Sequence, residues 1–316
     1  MVGEMKRLNH KKGPDFICIG PHKTGTDWMY IALAWHPQVW MPPQKEVGYF
    51  WERAYLGKSS FYKRLTSSHG HYAHMRQWFK KRMQARAQNL FKHRIDKKSL
   101  LWDLRYIILP RGDEWYLGLF DGDKVSGDIS PHYHELPEEE VEKISKLLPA
   151  VKIIISLRNP VERLWSLAKM TLCKNQNKSL TKVSERQFLD FFVENTHLPT
   201  THYVCLIERW KKYFPADNVL VIFTDELEES PVLLFEKICQ FLEIVSPDDR
   251  LQQKINFCAN KGIEGLLPHK LGQHLYRHFQ QPILELADYL PKAEYPRKWL
   301  AELRKKYDNE LAEIAK

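Results

Sequence analysis

Four short apolar runs limit most strongly how this chain can fold. Each is almost entirely apolar, which is typical of strands buried on both faces of a parallel sheet. Helical patterns follow them, so we predict a three-layer α/β fold with a central, mainly parallel sheet flanked by helices. The predicted strands are DFICIG (15–20), KVSGDIS (124–130), VKIIISLR (151–158) and NVLVIFTDE (218–226). The predicted helices cover 26–36, 159–170, 230–242 and 296–315.

Two of these helices begin with recognisable capping residues. Asn159 is followed by Pro160 at the first helical position and by Glu162 three residues after the cap. Ser230 and Pro231 repeat the arrangement. Such a start fixes where each helix begins and so where the preceding strand must end.

The segment 52–115 differs in character from the rest of the chain. It is basic, aromatic and rich in histidine, and we predict a mostly helical insertion within a single domain spanning 1–316. The whole chain has 48 Lys and Arg against 39 Asp and Glu, a net charge of +9. This excess favours anionic ligands, which include a phosphorylated cofactor, an acidic glycan, nucleic acid and a membrane surface.

Five widely spaced cysteines argue against a disulfide framework and against a zinc site, because none forms a C-x-x-C pair. We expect Cys18 and Cys239, which lie in apolar stretches, to be small core residues. The amino-terminal residues lack the apolar stretch of a signal peptide. No apolar run approaches the ~18 residues of a membrane span. We therefore expect a cytoplasmic protein with no membrane segment.

The sequence GPHKTGTDW (20–28) directly follows the first predicted strand. A strand, a glycine-containing turn and a helix start together predict an anion site, because the first N–H groups of a helix have no intrahelical acceptor. Gly25 permits close backbone approach, and Lys23, Thr24 and Thr26 add a charge and two hydroxyls. The lysine precedes Gly25, whereas a Walker A loop places it after the last glycine. A classical ATP or GTP loop is therefore disfavoured.

A second candidate anion site lies in ISLRNPVERLWSL. Arg158 ends a buried strand, and Ser166 follows eight residues later in the next helix. Both can reach one spot at the carboxyl edge of a parallel sheet. A guanidinium fork and a hydroxyl together suit a terminal phosphate.

In this order, the two loops resemble the 5′-phosphosulfate and 3′-phosphate loops of the sulfotransferases. The resemblance covers about residues 15–262 and is nearest in pattern to the glycan and heparan sulfate enzymes. Other matching segments are HPQVWMPPQKEVGYF, GDISPHYHE and YFPADNVLVIFTDELEESPVLLFEKICQFLEI. The resemblance implies a P-loop-like fold and the use of 3′-phosphoadenosine 5′-phosphosulfate (PAPS), which yields adenosine 3′,5′-bisphosphate (PAP), without a metal.

The resemblance also implies roles for individual residues. Arg158 and Ser166 would bind the 3′-phosphate, and Lys261 and Gly262, in NKGIEG, would belong to a loop that closes over PAPS. Asp27 departs from the threonine that is usual in the family, and Gly48 stands where the heparan enzymes often have histidine. The 5′-phosphosulfate would be held by Lys23, Thr24, Gly25, Thr26, Asp27 and Trp28.

The implied reaction is in-line transfer of a sulfuryl group to a hydroxyl or amine of a saccharide or small molecule. Glu46, in QKEVGYF, is the candidate general base, Lys45 would orient the sulfonate, and Lys23 would stabilise the leaving phosphate. His132 is an alternative candidate for the base; the other role open to it is to support the structure or to contact the acceptor. We expect no nucleic-acid partner; the acceptor's identity and the oligomeric state stay open.

Two other functions fit part of the sequence. An NTP-dependent phosphotransferase would need a magnesium-binding acid at a strand end, for which Asp128 and Asp225 are candidates. A non-enzymatic module for nucleic acid or acidic glycan would use the basic segment 52–115. Neither function accounts for both anion loops.

Overall fold

The computed structural model describes residues 13–57, 61–89, 97–120, 122–176, 178–196, 202–257 and 262–308. Within these residues the centre is a sheet of five parallel strands in the order β2-β3-β1-β4-β5. The predicted α/β fold with a parallel sheet is therefore confirmed. The strands are β1 (Phe16–Gly20), β2 (Val39–Trp40), β3 (Val125–Ile129), β4 (Lys152–Leu157) and β5 (Val219–Phe223).

Helices cover both faces of this sheet and extend beyond it. The first six are α1 (Thr26–Trp35), α2 (Tyr49–Tyr55), α3 (Phe61–Thr66), α4 (Gly70–Asn89), α5 (Lys97–Ile108) and α6 (Asp113–Leu117). The next five are α7 (Glu138–Leu147), α8 (Pro160–Lys169), α9 (Glu185–Thr196), α10 (Tyr203–Lys211) and α11 (Thr224–Glu229). The last four are α12 (Pro231–Leu242), α13 (Asp249–Ile255), α14 (His269–Tyr289) and α15 (Tyr295–Tyr307).

Strand β1 shows why the apolar runs identified the sheet. Ile17 and Ile19 belong to the core on one face, whereas Phe16 and Cys18 belong to the core on the other, and all four are fully buried. Each such side chain contributes about 1.5–3 kcal/mol on burial. Cys18 and Cys239 are both core residues, as predicted, and burial raises the pKa of the Cys18 thiol to about 12.

The strands that carry the two anion loops are neighbours. β1 pairs directly with β4, with Gly20 opposite Ile155, so both strands end at the same edge of the sheet. Ser156 in β4 donates a hydrogen bond from its hydroxyl to the carbonyl of Thr24, at 2.6 Å. Two loops 130 residues apart in sequence are thereby brought side by side.

The caps are confirmed, but one strand end was predicted wrongly. Asn159 and Ser230 accept the N–H groups of Val161 (3.1 Å) and Leu233 (3.4 Å). The predicted strand 218–226 ends at Phe223, because Thr224 already begins α11. The predicted helix 296–315 is described to residue 307, and residues 309–316 lie outside the described part.

The described part of the segment 52–115 is mostly helical, comprising most of α2, the whole of α3 to α5 and the start of α6. Aromatic side chains pack its helices together: the Trp102 and Tyr106 rings of α5 stack at 5.1 Å, and Tyr106 lies 5.7 Å from Trp115 of α6. The organisation as one domain stays a prediction. Among the helices described, none combines the length and apolarity that a bilayer crossing requires.

Candidate active site

The loop between β1 and α1 has the backbone of an anion-binding turn. Gly20, Lys23 and Gly25 have φ angles of 78°, 71° and 82°. Glycine adopts this region readily, whereas a lysine there is strained by roughly 1–3 kcal/mol. Helix α1 begins immediately afterwards, so the N–H groups of its first turn and the positive end of its dipole face the loop. This geometry suits a phosphate or sulfate group.

Two predicted ligand residues of this loop use their side chains for structure. The Thr24 hydroxyl donates to the carbonyl of Pro21 at 2.7 Å. The Trp28 indole N–H donates to the carbonyl of Ile255 at 2.8 Å, and the ring is buried. A contact between Trp28 and an anion would therefore come from its backbone N–H in the first turn of α1.

The loop between β4 and α8 carries the second cationic group. The Arg158 guanidinium forms an ion pair with Glu162 at 3.2 Å, and Ser166 lies two turns into α8. Glu162 thus bonds to Arg158 instead of closing a capping box with Asn159. Both partners of this pair are partly exposed, and such pairs contribute about 0.2–1 kcal/mol, so a phosphate could displace the carboxylate.

Two buried groups fix the backbone that presents Arg158. The Tyr203 hydroxyl donates to the Arg158 carbonyl at 2.8 Å and accepts a hydrogen bond from Arg163 Nε at 3.1 Å. Arg163 is 3% exposed, and its charge helps to keep nearby imidazoles neutral. Sequence reasoning missed both residues, although Arg163 stands inside RNPVERLWS.

The segment after residue 261 lies against α8. Lys169 Nζ donates to the carbonyls of Ile263 (2.6 Å) and Gly265 (3.2 Å), and the Trp165 indole donates to Gly265 at 3.1 Å. These bonds bring Gly262 to the edge of the same cleft as Ser166. Lys261, predicted to belong to the closing loop, lies outside the described residues.

The segment before α2 faces the first anion loop. Lys45 forms a close ion pair with Asp27, lies 3.3 Å from Thr26 Oγ1 and is 3.6 Å from Glu46 Oε1. Asp27 therefore holds the ammonium group of Lys45 against the start of α1. This pairing gives a physical reason for an acid in a loop that otherwise attracts anions.

A group of imidazoles lies beside Glu46. His132 Nδ1 is 3.8 Å from Glu46 Oε2, and the His22 ring lies 6.1 Å from His132 and 6.0 Å from His134. Burial, assisted by the charge of Lys45, lowers the pKa of His22 to about 4. Burial also holds the pKa of His134 well below its usual value. Both rings are therefore neutral near pH 7 and add no positive charge beside Glu46.

Asp128, at the end of β3, is fully buried in a cage of hydroxyl groups. It accepts hydrogen bonds from Ser130 Oγ (2.6 Å), Tyr133 OH (2.8 Å) and Tyr116 OH (3.0 Å). Tyr133 OH in turn accepts the N–H of Phe50 at 3.4 Å. Burial raises the pKa of Asp128 to about 6, so the carboxylate is mostly ionised at neutral pH.

This cage also holds the segment that carries Lys45 and Glu46. The Val47 N–H bonds to the Asp128 carboxylate, and the Gly48 N–H donates to Ser130 Oγ at 3.2 Å. The two backbone groups after Glu46 are thus tied to the end of β3. The sequence offered Asp128 only as a magnesium ligand, whereas its bonds give it a structural task.

The second candidate magnesium ligand also has a protein partner. Asp225, in α11, accepts a hydrogen bond from the Trp299 indole at 2.7 Å and so joins α11 to α15. Neither acid is presented to the anion loops as a magnesium ligand of an NTP-dependent enzyme would be.

A cleft of about 1370 Å³ brings these pieces together. The segment 52–115 lines it through Met75 and Tyr106, and α15 also lines it. The site can hold two separated anionic groups and place a carboxylate close to one of them. The predicted residues that line it are Lys23, Gly25, Thr26, Asp27, Trp28, Lys45, Glu46, His132, Arg158, Ser166 and Gly262.

Comparison with known proteins agrees with this geometry. The model of the sulfotransferase family matches residues 14–248. The chain is similar to human bifunctional heparan sulfate N-deacetylase/N-sulfotransferase 3, with 21% identity over 264 residues, which are 79% of this chain and 24% of that protein. It is also similar to human heparan sulfate glucosamine 3-O-sulfotransferase 5, with 27% identity over 165 residues, 48% of this chain and 46% of that protein.

The chain therefore spans about a quarter of the first of these relatives and about half of the second. Among solved structures, a sulfotransferase from Alicyclobacillus acidocaldarius superposes with a TM-score of 0.55 and 22% identity, over 87% of this chain and 95% of that one. At this identity the likeness speaks for the fold alone.

Proposed function

This chain belongs to the sulfotransferase family, and we propose that it transfers a sulfuryl group from PAPS to a hydroxyl or amine of an acceptor. One observation carries the proposal. The two anion loops end adjacent strands, and Glu46 and Lys45 face the first loop across one cleft. A site for a single phosphate would need only one of these loops.

The described residues fit PAPS. Its phosphosulfate end calls for a helix start and a cation, which Lys23 and the first turn of α1 offer. Its 3′-phosphate calls for a second cationic site, which Arg158 and Ser166 offer after the neighbouring strand, in the β4–α8 loop and in α8. When bound, PAPS supplies an activated sulfuryl group on a good leaving phosphate.

The roles of the chain's own residues follow from their positions. Glu46 removes the proton from the acceptor, and His132 Nδ1 lies 3.8 Å from its carboxylate. Lys45, held by Asp27 and Thr26, neutralises charge on the transferred group. Lys23 neutralises the charge that develops on the leaving phosphate.

The acceptor class follows from the names of the relatives. Both relatives are heparan sulfate enzymes, one an N-sulfotransferase and one a 3-O-sulfotransferase, so amine and hydroxyl acceptors are both represented. We propose a saccharide as the first acceptor to test, followed by small-molecule alcohols and amines.

Ligand-induced stabilisation tests the proposal directly. Binding to the folded state raises the melting temperature, by an amount that depends on ligand concentration relative to Kd. We expect PAP to stabilise the protein. Arg158→Met should raise the Kd of PAP at least tenfold and so weaken this stabilisation, because a charge-assisted bond contributes ~1.5–3 kcal/mol. Arg186→Met, which removes an equally charged but highly exposed group on α9, is the control.

Stabilisation by ATP with Mg²⁺ but not by PAP would favour a phosphotransferase, and stabilisation by an oligonucleotide alone would favour a binding module. Transfer of labelled sulfate from PAPS to a panel of glycans, phenols, alcohols and amines then identifies the acceptor. A protein that binds PAP but sulfates no member of the panel has the predicted site with an acceptor outside these classes.

Asp128→Asn tests whether the hydroxyl cage positions Glu46. The amide cannot accept all the hydrogen bonds that the carboxylate accepts, so the segment that carries Glu46 shifts. A displacement of a catalytic group by about 1 Å can lower the rate up to about a hundredfold. We expect kcat to fall by about 10–100-fold with little change in the Kd of PAP. Asp225→Asn, whose amide oxygen can still accept the Trp299 indole N–H, should leave kcat unchanged.

The same variant has a defined effect on stability. Because burial raises the pKa of Asp128 to about 6, its contribution to stability is fully present below the unfolded value near 3.8 and is lost as pH rises through 6. A shift of this size corresponds to roughly 3 kcal/mol. Between pH 4 and pH 7 the free energy of unfolding of Asp128→Asn should therefore rise progressively relative to that of wild type. A difference in stability between the two proteins that does not change with pH would contradict the raised pKa of Asp128.

A further inference from the structure

Exposed apolar side chains are concentrated in the segment 52–115. Of the 13 large apolar side chains exposed in the described part of the chain, seven lie in these 64 residues. Isolated apolar residues are normal on a protein surface, whereas a cluster indicates a binding surface. The seven are Tyr55, Tyr62, Leu65, Leu101, Leu104, Ile108 and Leu109.

Helix α5 separates its apolar residues onto two sides. Trp102 and Tyr106 face inward and are buried, whereas Leu101, Leu104 and Ile108 are exposed by 65%, 36% and 48%. The spacing of three and four residues places the exposed three on one face of the helix. This outward stripe is turned to solvent in the described part of the chain.

Helix α3 adds to the same surface. The buried guanidinium of Arg64 donates to the carbonyls of Ile107 (2.9 Å) and Leu109 (2.9 Å), at the carboxyl end of α5. This junction places α3 beside the carboxyl end of α5, and Tyr62 and Leu65 of α3 are exposed. We call the exposed side chains of α3 and α5, together with Leu109, the docking face.

The docking face carries exposed cations, which are Lys63, Lys98 and Arg105, and the segment around it is basic. The segment 52–115 contains 15 Lys and Arg against five Asp and Glu, a net charge of +10, which exceeds the +9 of the whole chain. The acid in α3 and α5 is Asp103, which is fully buried and paired with Arg82 and Arg86 of α4. Lys63 and Lys98 are exposed on the same two helices.

The combination of exposed apolar side chains and cations favours one kind of binding partner over others. A second copy of the chain would place two faces that carry only cations against each other. A polyanionic glycan or nucleic acid would use the cations but gain little from exposed leucine and isoleucine. A surface of anionic lipid uses both, because phosphate headgroups meet the lysines and acyl chains receive the aliphatic side chains.

We propose that the docking face binds the surface of an anionic lipid bilayer, with α3 and α5 lying at the interface. The inward side of the same segment lines the cleft through Met75 and Tyr106, so the bound protein carries its cleft close to the membrane. This inference stands apart from the proposed reaction.

Vesicle co-sedimentation of the whole chain tests it. We expect binding to vesicles of phosphatidylcholine and phosphatidylserine at 7:3, weaker binding as salt rises, and at least tenfold weaker binding to phosphatidylcholine alone. Leu104→Glu/Ile108→Glu should weaken binding to the mixed vesicles at least tenfold, because two aliphatic side chains are withdrawn and two acids added. Leu233→Glu/Val245→Glu, which changes exposed apolar residues elsewhere, should bind as wild type does.

Lys63→Ser/Lys98→Ser tests the electrostatic contribution separately, because it removes two charges and leaves the apolar side chains in place. It should lower the affinity for the mixed vesicles and make that affinity less dependent on salt. A cooperative thermal unfolding transition like that of wild type shows that each variant is folded. Wild type that does not bind the mixed vesicles overturns the proposal, as does equal binding by the Leu104→Glu/Ile108→Glu variant. A wild-type dimer in solution that this variant dissociates also overturns it, in favour of a second copy.

Discussion

Glu46→Gln is expected to lower kcat by about 10²–10⁴, the range for loss of a general base. The carboxylate lies 3.6 Å from Lys45 and 3.8 Å from His132, on the wall of the cleft opposite the first anion loop. The amide keeps the size of the side chain but cannot accept a proton from the acceptor. The Kd of PAP, measured by calorimetry, should change by less than about threefold, since Glu46 is not on either anion loop.

Glu135 supplies a closely matched control. Its side chain is 37% exposed against 36% for Glu46, and it lies 3.9 Å from His134 as Glu46 lies 3.8 Å from His132. Glu135 does not line the cleft, and it accepts a hydrogen bond from Trp51 at 3.2 Å. Glu135→Gln should retain the turnover of wild type in the labelled-sulfate assay. Near-normal turnover of Glu46→Gln would move the role of base to His132, which His132→Gln would then test.

Apolar runs and caps sufficed to predict the sheet because strands buried on both faces leave little room for polar residues. Four of the five described strands were predicted, three of them to within two residues at each end. The short strand β2 was missed because two residues carry no periodicity. The end of β5 was misplaced because Thr224 and Asp225 read as a continuation of the strand, whereas they begin a helix whose Glu226 accepts the N–H of Phe223 at 2.7 Å.

The candidate site was predictable where it lies in local motifs and unpredictable where it depends on contacts between distant segments. Lys23 and Arg158 follow strand ends, so their place at one edge of the sheet follows from the fold class. The partner of Asp27 is Lys45, 18 residues away, and nothing in the spacing shows that pairing. The cage around Asp128 likewise needs tyrosines from two elements, and a lone acid at a strand end reads equally well as a metal ligand.

The strained backbone of Lys23 bears on its proposed role. A φ of 71° is costly for a residue with a side chain. Glycine would remove that cost, so the lysine is retained at the expense of stability. Its Nζ lies 3.9 Å from the sulfur of Met170, a weak acceptor that competes little with an anion.

Lys23→Met is therefore expected to lower kcat by about 10²–10³, comparable to the removal of one group that stabilises transition-state charge. Methionine keeps an unbranched stem and the cost of the positive φ, so the change isolates the ammonium group. The fall in kcat should exceed the rise in Kd for PAP, because the charge on the leaving phosphate grows during transfer. Lys146→Met, which removes one exposed lysine on α7, should alter neither quantity. Equal losses in PAP affinity and in turnover would assign Lys23 to ground-state binding and leave stabilisation of the leaving phosphate to Lys45 or to the N–H groups of α1.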